Sequence, residues 1–214
     1  MAEGRFITLE GAEGVGKSTC MGHVAARLRS AGIDFVQTRE PGGTPLGDAL
    51  RSLVLHPDHR GMAPETELLM IFAARKEHIE RVIVPALEQG RWVLSDRFTE
   101  ASYAYQGGGR GIASAHIEWL EGWVQAGLAP DLTLLLDAPV EISLARARAR
   151  AEIEPDRFHR EETAFFQRVR EAYLARSQRD PERIRVIDAA PPLDQVFTQI
   201  DAVLDVWLPA PRGR

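Results

Sequence analysis

Gly11-Ala12-Glu13-Gly14-Val15-Gly16-Lys17-Ser18 fits the pattern G-x-x-x-x-G-K-[ST] without a mismatch. Its flanks are those the pattern requires. Arg5-Phe6-Ile7-Thr8-Leu9-Glu10 before it reads as a short buried strand, and Ser18 to Ala31 after it runs with few breakers until Gly32. In such a strand–loop–helix turn the glycines let successive backbone N–H groups point inward at phosphate oxygens, and the helix beginning near Lys17 adds the positive end of its dipole. Lys17 then reaches the β- and γ-phosphates and the Ser18 hydroxyl ligates Mg²⁺, so the loop is suited to a magnesium nucleoside triphosphate. The plain alternative is a glycine-rich turn with a stray lysine, which the complete motif in this context disfavours.

Outward from the cradle, apolar runs alternate with helical patterns. Strands are expected near Phe6–Leu9, Phe35–Thr38, Trp92–Ser95, Leu132–Leu136 and Arg185–Ile187. Strands separated by helix-length segments pair in parallel through right-handed crossovers. The expected fold is therefore α/β, a three-layer P-loop NTPase fold with a five-stranded parallel sheet, helices on both faces and ligands at the carboxyl edge. No internal repeat or linker divides the chain, so one domain over residues 1–214 is expected, with a frayed tail at about 209–214.

Composition narrows the partners. The 214 residues are 44% hydrophobic, ordinary for one sizeable core. A net charge of −5 argues against duplex nucleic acid, which requires a basic surface. No apolar run is long enough for a membrane span and no signal-peptide pattern opens the chain, so no membrane partner and a cytoplasmic location are expected. Cys20, the only cysteine, reads as a buried structural thiol. The basic residues are 2 Lys and 24 Arg, which makes planar bidentate donors for phosphate plentiful.

Further polar stretches collect at predicted strand ends. Thr38-Arg39-Glu40-Pro41-Gly42-Gly43-Thr44 forms a turn ahead of a helical stretch carrying Arg51. Ala63 to Gln89 reads as helix, with Pro85 kinking or dividing it, and Phe72 and Arg75 share a face of it. The third strand ends in Asp96-Arg97, either a pair working near Mg²⁺ and phosphate or a structural ion pair. Ser102-Tyr103-Ala104-Tyr105-Gln106 then leads into Gly107-Gly108-Gly109-Arg110-Gly111, read as a flexible, hinge-like loop. After the fourth strand, Arg146, Arg148 and Arg150 lie on a helix that loses periodicity through Arg157 and His159. A solvated helix face is the ordinary meaning of such a charge run. Beside a cradle whose variable residues include no arginine, a mobile arginine-bearing lid at about 146–160 is the better one. Thr163 to Asp180 reads as architectural, and Asp188-Ala189 as bordering the adenine.

In this order and spacing the motifs resemble bacterial thymidylate kinases over nearly the whole chain. They are Leu9 to Thr19, Thr38 to Thr44, Phe72-Ala73-Ala74-Arg75, Asp96-Arg97-Phe98, Tyr105 to Gly111 and Arg146 to Arg150. The resemblance implies transfer of the γ-phosphoryl of ATP to dTMP, in a homodimer that feeds dTTP synthesis. It implies an ATP site of Gly11, Ala12, Glu13, Gly14, Val15, Gly16, Lys17, Ser18, Thr19, Arg146, Arg150 and Arg157, with Ser18 and Asp96 toward Mg²⁺. The dTMP site it implies has Arg51 and Arg97 on the phosphate, Glu13 near the 3′-hydroxyl and Tyr105 against the 2′ position. Arg75 and Gln106 read the thymine edge, Phe72 stacks on the base, and Glu40 and Ser102 complete the wall. Many relatives carry the stacking Phe four residues before the Arg, where Ile71 stands here, so which of the two side chains faces thymine is open. The lid is about two residues longer than usual around Glu154-Pro155, and His159 stands where an acid is expected.

The chemistry follows from charge. The attacking oxygen of dTMP is already anionic, so no general base is required and the difficulty is repulsion between two polyanions. Lys17, Arg97 and Arg150, with Glu13 beside them, form the expected catalytic set, and lid closure keeps water from becoming the acceptor. A nucleoside acceptor would want a carboxylate base instead, and a guanine-specific switch would want an Asn-Lys-x-Asp loop. The chain has no asparagine.

Overall fold

The structure, a computed structural model, describes residues 4–59, 61–149, 158 and 161–208. Among them five parallel strands make one sheet: β1 (Phe6–Glu10), β2 (Phe35–Arg39), β3 (Trp92–Asp96), β4 (Leu132–Asp137) and β5 (Ile184–Asp188), in the spatial order β2-β3-β1-β4-β5. The central strand pairs Ile7 with Leu94 on one side and with Leu132 on the other. All five expected strands are present, each reaching a residue or so beyond the apolar run that announced it.

Alternation along β1 decides what meets what. Ile7 and Leu9 enter one core with Cys20, Val24 and Leu28 of α1 (Lys17–Ser30) and Ile200 and Leu204 of α9 (Leu193–Trp207). Phe6 faces the opposite side, among Leu68, Phe72, Val93, Phe98 and Ile117. Successive side chains on a strand point to opposite faces, so Thr8 and Glu10 share the side of Phe6. Thr8 meets the Thr133 hydroxyl at 2.8 Å, and Glu10 lies buried at the carboxyl end of the strand.

Helix α2 (Pro45–Leu55) is capped by Thr44, whose hydroxyl accepts from the Gly47 N–H. The stretch after it is helical as expected, and it is divided just ahead of Pro85, which stands in the first turn of the second segment. Helix α3 (Pro64–His78) runs through a π-helical turn (Ile79–Ile83) into α4 (Val84–Glu88). A wide turn just ahead of Pro85 is where its missing N–H and its ring, which would meet the carbonyl four residues back, are accommodated.

The glycine run departs from expectation more sharply. Residues Tyr103–Gly109 continue α5 (Thr99–Ser102) as a π-helical segment and are not a hinge-like loop. The segment packs against α8 (Thr163–Arg179) so closely that a Cβ on Gly108 would stand 2.7 Å from the Arg168 carbonyl oxygen, and one on Gly109 would stand 2.5 Å from the Phe165 ring. The Arg168 guanidinium donates to the carbonyls of Gly108 and Gly109 at 3.2 and 3.0 Å. Here glycine permits contact; it does not confer freedom. Helix α6 (Ser114–Gln125) follows, and α7 (Val140–Ala149) leads toward the expected lid. Arg150, Arg157, Glu154, Pro155 and His159 lie outside the described residues, as does the tail at 209–214.

Candidate active site

The cradle joins β1 to α1 with Gly14 at φ 77° and Gly16 at φ 96°, conformations that side-chain-bearing residues rarely adopt. The helix starts at Lys17, as expected. The Lys17 ammonium donates to the carbonyls of Gly11 and Ala12, both at 3.1 Å. Burial lowers its pKa and the charge of Arg97 adds to that, while Glu13, Asp96 and Glu10 oppose the shift. The lysine is thus held beside three carboxylates and one guanidinium at the carboxyl edge of the central strands. Ser18 is exposed in the first turn of α1, and one carboxylate oxygen of Asp96, Oδ1, is buried with no hydrogen-bond partner.

Arg97 does not pair with Asp96, the neighbour that suggested a structural ion pair. Its backbone leaves β3 at φ 72°, a left-handed conformation costly for a non-glycine residue. Its guanidinium donates to Glu13 at 2.8 Å, to the Tyr105 hydroxyl at 3.1 Å and to the Tyr173 hydroxyl at 3.2 Å. Tyr173 in turn donates to Glu10 at 2.8 Å, and Glu10 also accepts the Phe98 N–H at 2.7 Å. Burial drives the Glu10 carboxyl up to about 7, against the pull of Arg97. Burial likewise pushes the Tyr105 phenol upward. Tyr173 sits on the helix read as architectural, so that helix also serves the site.

The other expected acceptor residues line one cleft: Glu13, Glu40, Arg51, Arg75, Arg97, Ser102, Tyr105 and Gln106, with Val54, Ile71, Phe98, Ala101 and Phe158 as apolar wall. Arg51 donates to the Pro41 carbonyl at 3.1 Å. Arg75 is 1% exposed and is fixed from several sides. It donates to Glu40 at 2.8 Å, to the Phe98 carbonyl at 2.9 Å and to the Ser102 hydroxyl at 3.0 Å. Its remaining terminal nitrogen, Nη1, is buried with no partner. Glu40 also contacts His78 Nδ1 at 2.9 Å. The Gln106 amide donates to Glu67 at 2.6 Å.

Phe72 is the exception among the expected dTMP residues. It is buried in the core with the Arg75 guanidinium 4.6 Å from its ring centroid, while the neighbouring Ile71 lines the cleft. Helix α3 buries Leu68, Ile71, Phe72, Ala74 and Arg75 together, more than one face, and periodicity alone does not tell such faces apart. Arg146 is held at the end of β5, its guanidinium donating to the carbonyls of Ala189 and Ala190 at 2.6 and 2.8 Å.

Sequence reasoning missed Glu10, Glu67, His78, Phe158 and Tyr173. Glu10 alone carried a signal, since the alternation that buries Ile7 and Leu9 turns it to the other face. A phosphate cradle beside a cleft lined by Arg51, Arg75 and Arg97 is the arrangement of a P-loop phosphotransferase.

The family model for thymidylate kinase matches residues 9–200. The chain is 57% identical over 208 residues to the thymidylate kinase of Methylococcus capsulatus, covering 97% of this chain and 98% of that one. It is 56% identical over 204 residues to that of Alkalilimnicola ehrlichii, covering 95% and 94%. With that of Pseudomonas putida strain GB-1 it shares 57% over 201 residues, covering 94% and 95%. The chain belongs to the thymidylate kinase family.

Proposed function

We propose that the chain transfers the γ-phosphoryl of ATP to dTMP, giving dTDP and ADP. The observation that carries this reading is Arg75 Nη1, a buried donor without a partner on the wall of the acceptor cleft. An unsatisfied buried donor costs about 1–3 kcal/mol, and the O4 acceptor of thymine would relieve that cost. Gln106, whose nitrogen is turned to Glu67, has its carbonyl oxygen left to accept the N3–H. Ile71 takes the apolar face of the base, Tyr105 the 2′ side of the sugar and Glu13 the 3′-hydroxyl.

Arg51 and Arg97 take the acceptor phosphate and Lys17 the β- and γ-phosphates, with Gly11 to Thr19 supplying backbone donors. Arg146 frames the purine end beside Ala189. Arg150 and Arg157 bring cations from the lid, at about residues 146–160, and exclude water when it closes. The donor set fits Mg²⁺, since the unpartnered Asp96 oxygen and the Ser18 hydroxyl are hard ligands. When bound, the ion would neutralise charge on the transferring phosphates.

We take the protein to be one kinase domain, working in the cytoplasm as a homodimer. No helix among the described residues is long and apolar enough to cross a membrane. Trp119 and Trp123 stand 65% and 68% exposed on α6, with ring centroids 5.4 Å apart, an apolar surface for a second copy. The function is tested by ADP release with dTMP, dUMP, dCMP, dGMP and thymidine as acceptors. The account expects dTMP first and thymidine inert. Equal use of thymidine would contradict a phosphate-bearing acceptor.

A further inference from the structure

Glu67 lies on α3 two turns before Arg75, and its side chain is fully buried. Its carboxylate is shared between two neighbours, Oε1 accepting from Gln106 Nε2 at 2.6 Å and Oε2 from Arg110 Nε at 3.2 Å. Arg110 also donates to Glu161 at 2.6 Å and lies over the rings of Phe158 and Phe165. The guanidinium is thus held by its own contacts and keeps Glu67 charge-paired.

A carboxamide offers two donors at one end and an acceptor at the other, and the two ends are nearly the same size. Which end faces a ligand is set by whatever holds the amide. An ionised carboxylate has no hydrogen to give, so Gln106 meets Glu67 with its nitrogen. The oxygen is then the end left for the cleft that Gln106 lines.

We propose that Glu67 is a positioning residue for base selectivity: it locks Gln106 in the amide orientation that accepts a pyrimidine N3–H and rejects a pyrimidine whose N3 is itself an acceptor. This rests on the reading of Gln106 as a base contact. The device is separate from Arg75, which tests position 4 of the ring. A carboxamide at position 67 keeps its oxygen toward the Arg110 donor and turns its NH₂ to Gln106, so Gln106 is no longer held nitrogen-first. The freed amide then turns its NH₂ toward an unprotonated N3.

The test is kcat/KM for dTMP, dCMP and 5-methyl-dCMP in the wild type, in Glu67→Gln, in Gln106→Leu and in the exchanged pair Glu67→Gln with Gln106→Glu. Glu67→Gln is expected to narrow the preference for dTMP over both cytosine nucleotides by about 5- to 50-fold. Part of that change should be a rise in their absolute kcat/KM, which loosened packing does not produce. The exchanged pair again has an acceptor-only group at position 106 and is expected to restore the ratio to within about threefold of wild type. The KM for ATP should stay within about twofold throughout, because the cradle is untouched. A folded Glu67→Gln with the wild-type ratio overturns the proposal, and so does an exchanged pair as relaxed as the single variant. If Gln106→Leu leaves the ratio unchanged, the reading of Gln106 itself is overturned; if Gln106→Leu relaxes it and Glu67→Gln does not, only the positioning role is lost.

Discussion

Glu10 sits where three lines of force cross. Its carboxylate holds the backbone that carries Arg75's acceptor, Phe98, and holds Tyr173, which steadies Arg97. Its raised pKa has a definite sign for stability. Below the ordinary carboxyl value of 4.5 both native and unfolded chains carry the proton, so Glu10 contributes no pH dependence. Between 4.5 and about 7 the unfolded chain is ionised while the native one holds its proton, so native stability falls as pH rises. Each pH step costs ~1.4 kcal/mol, about 3 kcal/mol over the window, and the loss is complete above it. Glu10→Gln removes this slope. Urea unfolding at pH 5.5, 7 and 8.5 should show the variant gaining on the wild type up to about pH 7 and running parallel beyond it. Parallel behaviour from pH 5.5 would place the Glu10 pKa near the ordinary value.

At the scale of elements, the five strands were legible because each is an apolar run bounded by breakers, and the cradle because its motif fixes both neighbours. The glycine segment was not. Three glycines in a row lower helical propensity, and only the proximity of α8 makes their lack of a side chain an asset. That reading has a paired test. Gly108→Ala drives a Cβ into the backbone carbonyl of Arg168 and is expected to cost about 1–3 kcal/mol, a melting temperature lower by about 3–8 °C. Gly22→Ala on α1 meets nothing within 4 Å and should stabilise by about 0.5–1 kcal/mol. Calorimetric melting of both variants decides it, and a Gly108→Ala protein as stable as wild type would mean that the two helices do not pack this closely. Phe72 and Ile71 show the same limit of local pattern. Their order in the sequence is visible, but the side of α3 that faces the cleft is set by how the helix docks.

For the whole molecule, one sheet edge gathers residues from β1, β2, β3 and the helices behind them, so positions as far apart as Glu10 and Tyr173 become neighbours. Such contacts depend on topology and leave no trace in local sequence. The same scale governs assembly: Trp119→Glu with Trp123→Glu should convert the proposed dimer to monomer in light scattering, with the far-UV spectrum unchanged. A wild type that is already monomeric would remove the dimer from the account.

The central claim is that Arg75 gives this kinase its thymine acceptor, and kcat/KM for dTMP and dCMP in wild type and Arg75→Leu tests it most directly. The assay is run at a temperature where melting shows the variant folded, because Glu40 loses a buried partner. Arginine has only donors, so Arg75 satisfies O4 of thymine and opposes the N4 amino group of cytosine. Losing it should weaken dTMP use and narrow the dTMP:dCMP ratio by very roughly 5- to 150-fold, with the KM for ATP nearly constant. An unchanged ratio in a folded variant would contradict the account and leave Arg75 a structural arginine packed on Phe72.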